Sequence, residues 1–496
     1  MDDRGKSDGP VVPAKPSNNA ARAVAEMVEG RGPAEGNTTS KTRPGHSAGV
    51  SAPNALGRVR QVAQQDKEAQ FTALLHHVDL DRLRAAYRAL SSKAAAGVDG
   101  VTWMDYGQNL EDNLRDLHDR VHRGSYRARP SRRAYIPKSD GRLRPLGIAA
   151  LEDKILQRAV VEVLGAIYET DFLGFSYGFR PQRSPHHALD ALAVAITTKK
   201  VNWVLDADIR DFFTTLDQAW LKRFVGHRIA DSRVLRLIGK WMSAGVIEDG
   251  AWTACDEGVP QGASASPLLA NVYLHYVFDL WAHQWRARHA RGDVILVRFA
   301  DDFVAGFQHR DDAERFLVDL RERFAQFNLE LAAEKTRLIE FGRYAAQNRA
   351  ARGDRRPQTF AFLGFTHICA KTRAGKFKLW RVTEKKRMRA KLRAVKTELM
   401  RRRHLPIPDQ GRWLASVVRG HCAYYAVPDN IEALRTFRDQ VTRLWRRALG
   451  RRSQRAQVNW TRMHRLATRW LPAVRILHPW PSVRFDARTQ GRSPVR

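Results

Sequence analysis

Two adjacent carboxylates, Asp301 and Asp302, are the residues whose types and spacing most directly indicate chemistry. The apolar run 294–299 precedes them and the run 303–307 follows, which predicts a β-hairpin with an acidic pair at its tip. Adjacent like charges repel, and hard divalent ions such as Mg²⁺ bind carboxylate oxygens and support phosphoryl transfer. Aspartate is also common in solvated turns, so this pair alone leaves a turn and a metal site equally open.

A metal-dependent site needs more than one acidic pair, and a second strand-like run, ending at Asp208, supplies further carboxylates. Period-2 alternation places Asp206 and Asp208 on one face of this strand, with Leu205 and Ala207 on the opposite face toward a core. Asp208 and Asp301 lie 93 positions apart (301 − 208 = 93), so only tertiary structure can bring them together.

Composition indicates which partner such a site serves. The 496 residues include 85 Lys+Arg against 52 Asp+Glu, which gives a net charge of +33. A surplus of that size favours a polyanionic partner such as nucleic acid over a membrane surface. No apolar run approaches the roughly 20 residues that span a bilayer, and the polar start of the chain predicts no secretory signal. The three cysteines are widely spaced, which argues against disulfides and a zinc site and fits a cytoplasmic, reducing compartment.

The elements that must position the carboxylates fall into four segments. Residues 1–66 contain no aromatic residue and are predicted to be a disordered tail. Residues 67–370 alternate between strand and helix patterns, which is typical of an α+β body. Residues 371–455 are predicted to be helical and strongly basic, and this surface suits nucleic-acid phosphates. Residues 456–496 form a basic C-terminal segment for which DNA is a candidate partner.

Ordered motifs from Phe71 onward resemble those of bacterial group II intron-encoded reverse transcriptases, also called maturases. The matching segments are a fingers block at 136–148, the next family block at 176–181, motif A at 208–213, motif B at 259–262 and 266–271, motif C at 299–302, motif D at 334–336, motif E at 362–365 and a maturase block at 413–425. The resemblance implies an α+β right-hand polymerase fold: fingers and palm with an antiparallel sheet, then an α-helical thumb or maturase (X) domain.

The resemblance also implies the roles of the carboxylates. Asp208 and Asp301 would bind two Mg²⁺ ions, for which Mn²⁺ is a substitute, and Asp302 would support them. These ions would lower the pKa of a primer 3′-hydroxyl and stabilise the pyrophosphate leaving group. Lys335 would act as general acid toward pyrophosphate, with an ion pair to Glu334 as the alternative interpretation. Asp206 has no counterpart role and is interpreted as structural.

Further residues are implied in nucleotide binding. Lys138 and Arg144 would hold the triphosphate of a dNTP. Phe213 would lie against the sugar and exclude a 2′-hydroxyl, whereas its neighbour Phe212 is expected in the core. Gln261 and Gly262 would let the backbone approach the nascent base pair, because glycine permits close contact.

Other features depart from the family pattern or carry no chemistry. The departures are Asp211 for Gly, Gln218 for His, Ser264-Ala265 for a bulkier pair and Phe299 for Tyr. None of them removes an expected metal ligand. His421 is interpreted as a structural residue, because no partner carboxylate is evident nearby in sequence. With no cysteine after Cys422, the C-terminal HNH-type nuclease of many relatives is expected to be absent.

Three functions remain open at this point. The first is an RNA-directed DNA polymerase whose partners are an RNA template with a DNA primer, dNTPs, group II intron RNA and target DNA. The second is a non-catalytic maturase that keeps the fold as an RNA-binding platform. The third is a reverse transcriptase of a retron, CRISPR-associated or defence system. The intact carboxylates disfavour the second, and the maturase block at 413–425 disfavours the third.

Overall fold

The computed structural model describes residues 55–137, 143–254, 257–259, 262–354, 356–452 and 458–489. An N-terminal helical layer packs around one long helix, α5. The layer consists of α1 (Ala55–Gln65), a 3₁₀ turn (Leu75–His77), α2 (Leu80–Ala89), α3 (Trp103–Gln108) and α4 (Leu110–His122), and α5 spans Leu151–Asp171. Most residues of α5 are buried, because it packs against helices on several sides.

Helix α1 corrects the prediction of disorder for residues 1–66, which is wrong for residues 55–65. Ala63 is fully buried, and its carbonyl accepts hydrogen bonds from Thr170 and Arg228. A stripe of small apolar residues at helical spacing is therefore enough to attach α1 to α5 without an aromatic residue. Residues 1–54 of the expected tail lie outside the described residues.

A first sheet in the order β2-β1-β4-β5 extends from this layer. Its strands are β1 (Ser131–Pro137), β2 (Leu143–Ile148), β4 (Val246–Glu248) and β5 (Ala251–Thr253). β1 and β2 form an antiparallel hairpin, with Ile136 opposite Arg144. The short contact between β1 and β4 is parallel.

The central sheet carries the acidic residues and has the order β6-β7-β3-β8, with all neighbours antiparallel. Its strands are β3 (Trp203–Asp208), β6 (Val294–Phe299), β7 (Asp302–Phe307) and β8 (Arg337–Glu340). Both faces are buried, since Leu205 and Ala207 join the larger core while Val204 joins a second core. The predicted alternation along β3 is confirmed.

The helices of this region are α6 (Pro185–Thr198), α7 (Phe212–Thr215), α8 (Gln218–Gly226), α9 (Ser232–Ser243), α10 (Ser266–Leu274), α11 (Leu280–Arg288), α12 (Arg310–Ala325) and α13 (Ala345–Ala351). Helix α6 packs on the central sheet within the second core, and α12 packs on it within the larger core. A π-helical turn, His275–Asp279, joins α10 to α11. The buried π-helical turn shifts the helical register beside the sheet, where such turns often accompany functional sites.

A third sheet precedes the C-terminal bundle and corrects a domain boundary. Its strands are β9 (Phe360–Phe362), β10 (Phe365–Lys371) and β11 (Phe377–Thr383), in the order β11-β10-β9. The sequence predicts helix from residue 371, but β11 pairs along its whole length with β10. That prediction is wrong for residues 377–383, where alternating burial of Leu379, Arg381 and Thr383 attaches a basic strand to the protein.

The C-terminal bundle comprises α14 (Lys385–Arg401), α15 (Ile407–Tyr425), α16 (Ile431–Gly450) and α17 (Trp460–Trp470) around its own apolar core. A last helix, α18 (Pro481–Thr489), leaves the bundle and packs on α6, where Arg484 and Arg381 both pair with the buried Asp190. Antiparallel sheets followed by a helical bundle confirm the predicted α+β fold class. In the described part of the chain, no helix is long and apolar enough to cross a membrane.

Candidate active site

The acidic pair lies where the sequence predicts it, at the tip of the β6–β7 hairpin. Phe299 pairs with Asp302, so Ala300 and Asp301 form a two-residue turn. Ala300 has a φ of 58°. A positive φ at the first central position is typical of type II′ turns, where glycine is the usual residue. An alanine there carries strain of about 1–2 kcal/mol, which the surrounding structure must hold in place.

The third carboxylate, Asp208, lies directly across the sheet from this turn. β3 pairs with β7, and the Cα partner of Asp208 is Asp302. The backbone carbonyl of Asp208 accepts a hydrogen bond of 2.8 Å from the amide of Ala332. Two strands that are far apart in sequence thus bring the backbones of Asp208, Asp301 and Asp302 to one edge of the central sheet.

Lys335 reaches the same edge from the loop before β8. Its ammonium pairs with a carboxylate oxygen of Asp208, and this hydrogen bond raises the pKa of Lys335 above its ordinary value. The charge of Glu334 contributes less to this shift than Asp208 does. Of the two alternatives considered for Lys335, the structure therefore favours a position within the acidic cluster over an ion pair with Glu334.

Around Asp302, the effect of nearby negative charges exceeds that of nearby positive charges. Burial, followed by repulsion from Asp301 and Asp208, raises the pKa of Asp302 to about 7. Lys335 and Arg387 act in the opposite direction and only partly offset this effect. Asp302 is held where its charged form is unfavourable unless more positive charge is present.

Asp206 behaves differently from its neighbour on the strand. Its carboxylate pairs with Arg337 on β8 at 3.0 Å. Burial raises the pKa of Asp206, and the hydrogen bond from Arg337 opposes that shift. This arrangement agrees with the structural role expected for Asp206.

The carboxylates fit a divalent metal ion in donor chemistry. Among the described residues, no three His, Cys, Asp or Glu side chains stand close enough in this structure to hold a metal together. Asp208 nevertheless already binds a cation in the form of the Lys335 ammonium, and oxygen donors of this type suit Mg²⁺ or Mn²⁺. The unbalanced negative charge around Asp302 gives the same indication.

Phe213 and the motif-B segment lie next to each other. The amide of Val259 donates to the carbonyl of Phe213, and Phe212 is buried in the core as expected. Phe213 itself is half-buried. Gly262 has a φ of 109°, and a Cβ there would lie 2.8 Å from the carbonyl oxygen of Gly147 in β2. The close approach expected of Gly262 is therefore made to the first sheet.

Three nucleotide-binding predictions lie partly or wholly outside the described residues. Lys138 and Gln261 are not described, and of Arg144 only the backbone, within β2, is described. Their roles stay predictions. The pairing of β1 with β2 places the end of β1 next to the start of β2, with Pro137 opposite Leu143.

The departures from the family pattern are accommodated locally. Asp211 has a φ of 41° and begins the short helix α7, and its carbonyl accepts the amide hydrogens of Thr214 and Thr215. The Gln218 side chain donates to the carbonyl of Gly258, so it holds the loop that leads into motif B. Phe299 is half-buried against the second core, where a phenyl ring packs without needing a hydroxyl partner.

A turn at the base of the C-terminal bundle approaches the acidic cluster. Leu363 and Gly364 connect β9 to β10, and the Tyr424 hydroxyl donates to the Leu363 carbonyl at 2.7 Å. The amide of Glu384 donates to the Gly364 carbonyl. This connection places the first turn of α14, including Arg387, close enough to Asp302 to favour its charged form.

His421 lies inside the C-terminal bundle and away from the acidic cluster. Its ring stacks on Phe437 with centroids 3.7 Å apart. Burial, with a contribution from Lys391, lowers the pKa of His421 to about 4, so the ring is neutral near pH 7. The packing agrees with the interpretation of His421 as structural.

Three residues of the site were not found by sequence reasoning: Arg298, Gly178 and Arg387. Arg298 is a buried arginine in an apolar strand, and that interruption is the only signal in the sequence. Gly178 packs against Ala300, with a hypothetical Cβ 2.2 Å from the Ala300 nitrogen. Arg387 is one of many basic residues on α14, and nothing in the sequence distinguishes it from the others.

A family model described as reverse transcriptase (RNA-dependent DNA polymerase) matches residues 136–367. Protein YkfC of Escherichia coli strain K12 is 43% identical over 251 residues, which cover 44% of this chain and 66% of that protein. The group II intron-encoded protein LtrA of Lactococcus lactis subsp. cremoris is 34% identical over 222 residues, covering 44% of this chain and 37% of LtrA. The nuclear intron maturase 3, mitochondrial, of Arabidopsis thaliana is 30% identical over 125 residues, covering 25% of this chain and 17% of that protein. The chain thus spans just under two thirds of the first of these proteins and just over one third of the second.

Proposed function

Because the chain belongs to the reverse transcriptase family, we propose that it is an RNA-directed DNA polymerase, which adds dNTPs to a primer 3′-hydroxyl on an RNA template. The observation that carries this proposal is the meeting of Asp208 with the Asp301–Asp302 turn across the β3–β7 pair. The family match covers the segment that contains all three carboxylates. In this proposal Asp208 and Asp301 hold two divalent metal ions, and Asp302 supports them.

The chain's own residues have defined tasks in this mechanism. When bound, the metal ions would lower the pKa of the primer 3′-hydroxyl and stabilise the pyrophosphate leaving group. The β6–β7 turn and β3 hold the backbones of these residues in a fixed register, from which the carboxylate side chains reach the metal ions. Lys335 supplies an ammonium beside Asp208, from which it can donate a proton to the departing pyrophosphate.

Nucleotide selection is assigned to residues around the cluster. Lys138 and Arg144 hold the triphosphate as fixed positive charges. Phe213, which is half-buried next to the motif-B segment, would exclude a 2′-hydroxyl with its ring. Gln261 and Gly262 leave room for the new base pair. These five assignments rest on the resemblance together with the position of Phe213.

The template-primer duplex is assigned to the basic face of the C-terminal bundle. Helix α14 carries eight Lys and Arg residues and one acid in 17 residues, and none of these charged side chains is buried. Phosphate contacts release counterions, so affinity for a duplex should fall steeply as salt concentration rises. Arg387 lies at the end of this face nearest Asp302, and it is assigned to the primer backbone next to the 3′ end.

Primer extension tests the proposal directly. A DNA primer annealed to an RNA template, with dNTPs and Mg²⁺, should be extended to the length that the template encodes. A matched reaction without template, and one with rNTPs in place of dNTPs, should give no extension. If the folded protein binds the duplex but extends no primer in Mg²⁺ or Mn²⁺, the polymerase proposal is wrong and a non-catalytic maturase becomes the better interpretation.

We also propose intron RNA as a partner, because relatives of this chain are intron-encoded proteins and an intron maturase. The basic α14 surface supports this proposal. In it, the protein binds its group II intron RNA in the bacterial cytoplasm, aids splicing and, with target DNA, intron mobility. Ribozyme sequence flanking the reading frame, and faster splicing of that RNA at low Mg²⁺, are the expected results. Flanking DNA without a ribozyme would favour a retron, CRISPR-associated or defence system.

A further inference from the structure

A buried arginine lies three residues before Asp301 and uses all its hydrogen-bond donors. Arg298 is 1% exposed. Its guanidinium donates twice to Asp279 (2.7 and 2.6 Å), and once each to Ser176 (2.6 Å), Asn271 (3.0 Å) and the carbonyl of Ala300 (2.9 Å). Five donors in a rigid fork are the full capacity of an arginine, so this side chain has one arrangement.

Two of the acceptors, Asn271 and Asp279, come from one continuous helical segment. Asn271 lies on α10 and Asp279 ends the π-helical turn. In an α-helix, eight residues turn by about 800°, which would leave these two side chains about 80° apart around the axis. A π-helical turn has more residues per turn and reduces that angle. The π-helical turn thereby directs both side chains to the same guanidinium.

The segment 175–178, which contains Gly178, also binds Arg298 and the acidic turn. The amide of Arg298 donates to the Phe175 carbonyl, the amide of Tyr177 donates to the Arg298 carbonyl, and both distances are 2.8 Å. The Asn271 side chain donates to the carbonyl of Gly178 at 2.7 Å. Gly178 in turn lies against Ala300. Motif B, the 175–178 segment and the acidic turn therefore meet at one buried side chain.

We propose that Arg298 is a positioning residue, which holds the Ala300 carbonyl and so fixes the strained turn that presents Asp301. The bond from Arg298 restrains the peptide between Ala300 and Asp301, the bond that a relaxing turn would rotate first. Asp279 and Asn271 keep the guanidinium in place and link the turn to helix α10. This inference rests on the proposed function, because it concerns how well Asp301 is placed for a metal ion.

A second buried arginine supplies a matched control. Arg228 is fully buried, pairs with Asp171 at 3.0 Å and donates to backbone carbonyls of residues 63, 66 and 69. Like Arg298, it is buried, forms an ion pair and donates to backbone carbonyls. The carbonyls that Arg228 binds belong to the N-terminal layer and not to the acidic turn. A loss of stability alone would affect Arg228→Lys and Arg298→Lys in the same way.

The experiment compares Arg298→Lys, Arg228→Lys and the parent protein in three measurements. These are the thermal unfolding temperature, Mn²⁺ affinity of the protein–duplex complex by electron paramagnetic resonance, and the single-turnover rate of dNTP incorporation against Mg²⁺ concentration. Both variants should unfold at lower temperature. Arg298→Lys alone should lose affinity for Mn²⁺ by about tenfold and rate by about 10²-fold at unchanged duplex affinity, as expected for a displacement of about 1 Å.

The outcomes separate this inference from the proposed function. Equal Mn²⁺ affinity and rate in the two variants would overturn the positioning role. If Arg298→Lys does not fold, Ser176→Ala removes a single hydrogen bond to the guanidinium. It should weaken Mn²⁺ binding in the same direction, and parent-like binding would overturn the inference. A parent protein that binds Mn²⁺ but incorporates no dNTP would contradict the polymerase proposal while the Mn²⁺ comparison still tests Arg298.

Discussion

Gly178→Ala perturbs the acidic turn without touching a carboxylate. A Cβ at this position would lie 2.2 Å from the Ala300 nitrogen and 2.9 Å from the Phe299 carbonyl carbon, both of them backbone atoms. Ordinary non-bonded contacts to carbon need about 3.5 Å, so the turn or the 175–178 segment must move by about 1 Å. Such overpacking costs about 1–3 kcal/mol of stability, and a displacement of about 1 Å at reacting groups lowers the rate by about 10²-fold.

Gly165→Ala is the matched control, since a Cβ there meets nothing within 4 Å. It lies within α5, where replacing glycine by alanine should stabilise the helix by about 0.5–1 kcal/mol. Both variants would be measured by thermal unfolding and by single-turnover incorporation of one dNTP at saturating duplex. A folded Gly178→Ala protein that incorporates dNTP at the parent rate would refute the packing of Gly178 on the turn as a determinant of activity.

Three further changes test other parts of the site. Phe213→Ala should raise rNTP incorporation relative to dNTP by about 10–200-fold, the range for one steric contact, measured as the ratio of kcat/KM values. Arg387→Gln should weaken primer-template binding and reduce the salt slope by about 1, whereas the exposed Arg88→Gln on α2 should change neither; equal effects would contradict the primer contact. Arg484→Met should lower the unfolding free energy by about 1.5–3 kcal/mol, because the buried Asp190 loses one of its charged partners; an unchanged denaturation midpoint would show that α18 contributes little to stability.

Local sequence patterns were enough to predict the hairpin, the strand of Asp208 and the α+β class. Alternation along β3 requires only that each side chain face the opposite side from its neighbours. Only the family resemblance predicted which carboxylates would lie together. Local patterns could not, because the strand pairing between residues 208 and 302 is set by tertiary packing. The structure supports that pairing and adds Lys335 to it.

Features that depend on several distant segments were missed. The five acceptor atoms around Arg298 belong to four residues, of which only Ala300 is near it in sequence. Helix α1 was missed because its composition lacks aromatic residues, although burial of Ala63 is enough to hold it. Strand β11 was missed because a run of basic residues masks the alternation that seats Leu379 and Arg381 in the interior.

The most direct test of the central claim is the single-turnover incorporation of one dNTP by Asp301→Asn, compared with the parent protein on the same RNA-templated primer. Asparagine keeps the size of the side chain but removes the charge that would bind a metal ion. The account predicts a loss of at least about 10³-fold in rate, equivalent to several kcal/mol of transition-state stabilisation, with duplex affinity and unfolding temperature unchanged. Incorporation by Asp301→Asn at a rate near that of the parent would contradict the assignment of this turn as the polymerase active site.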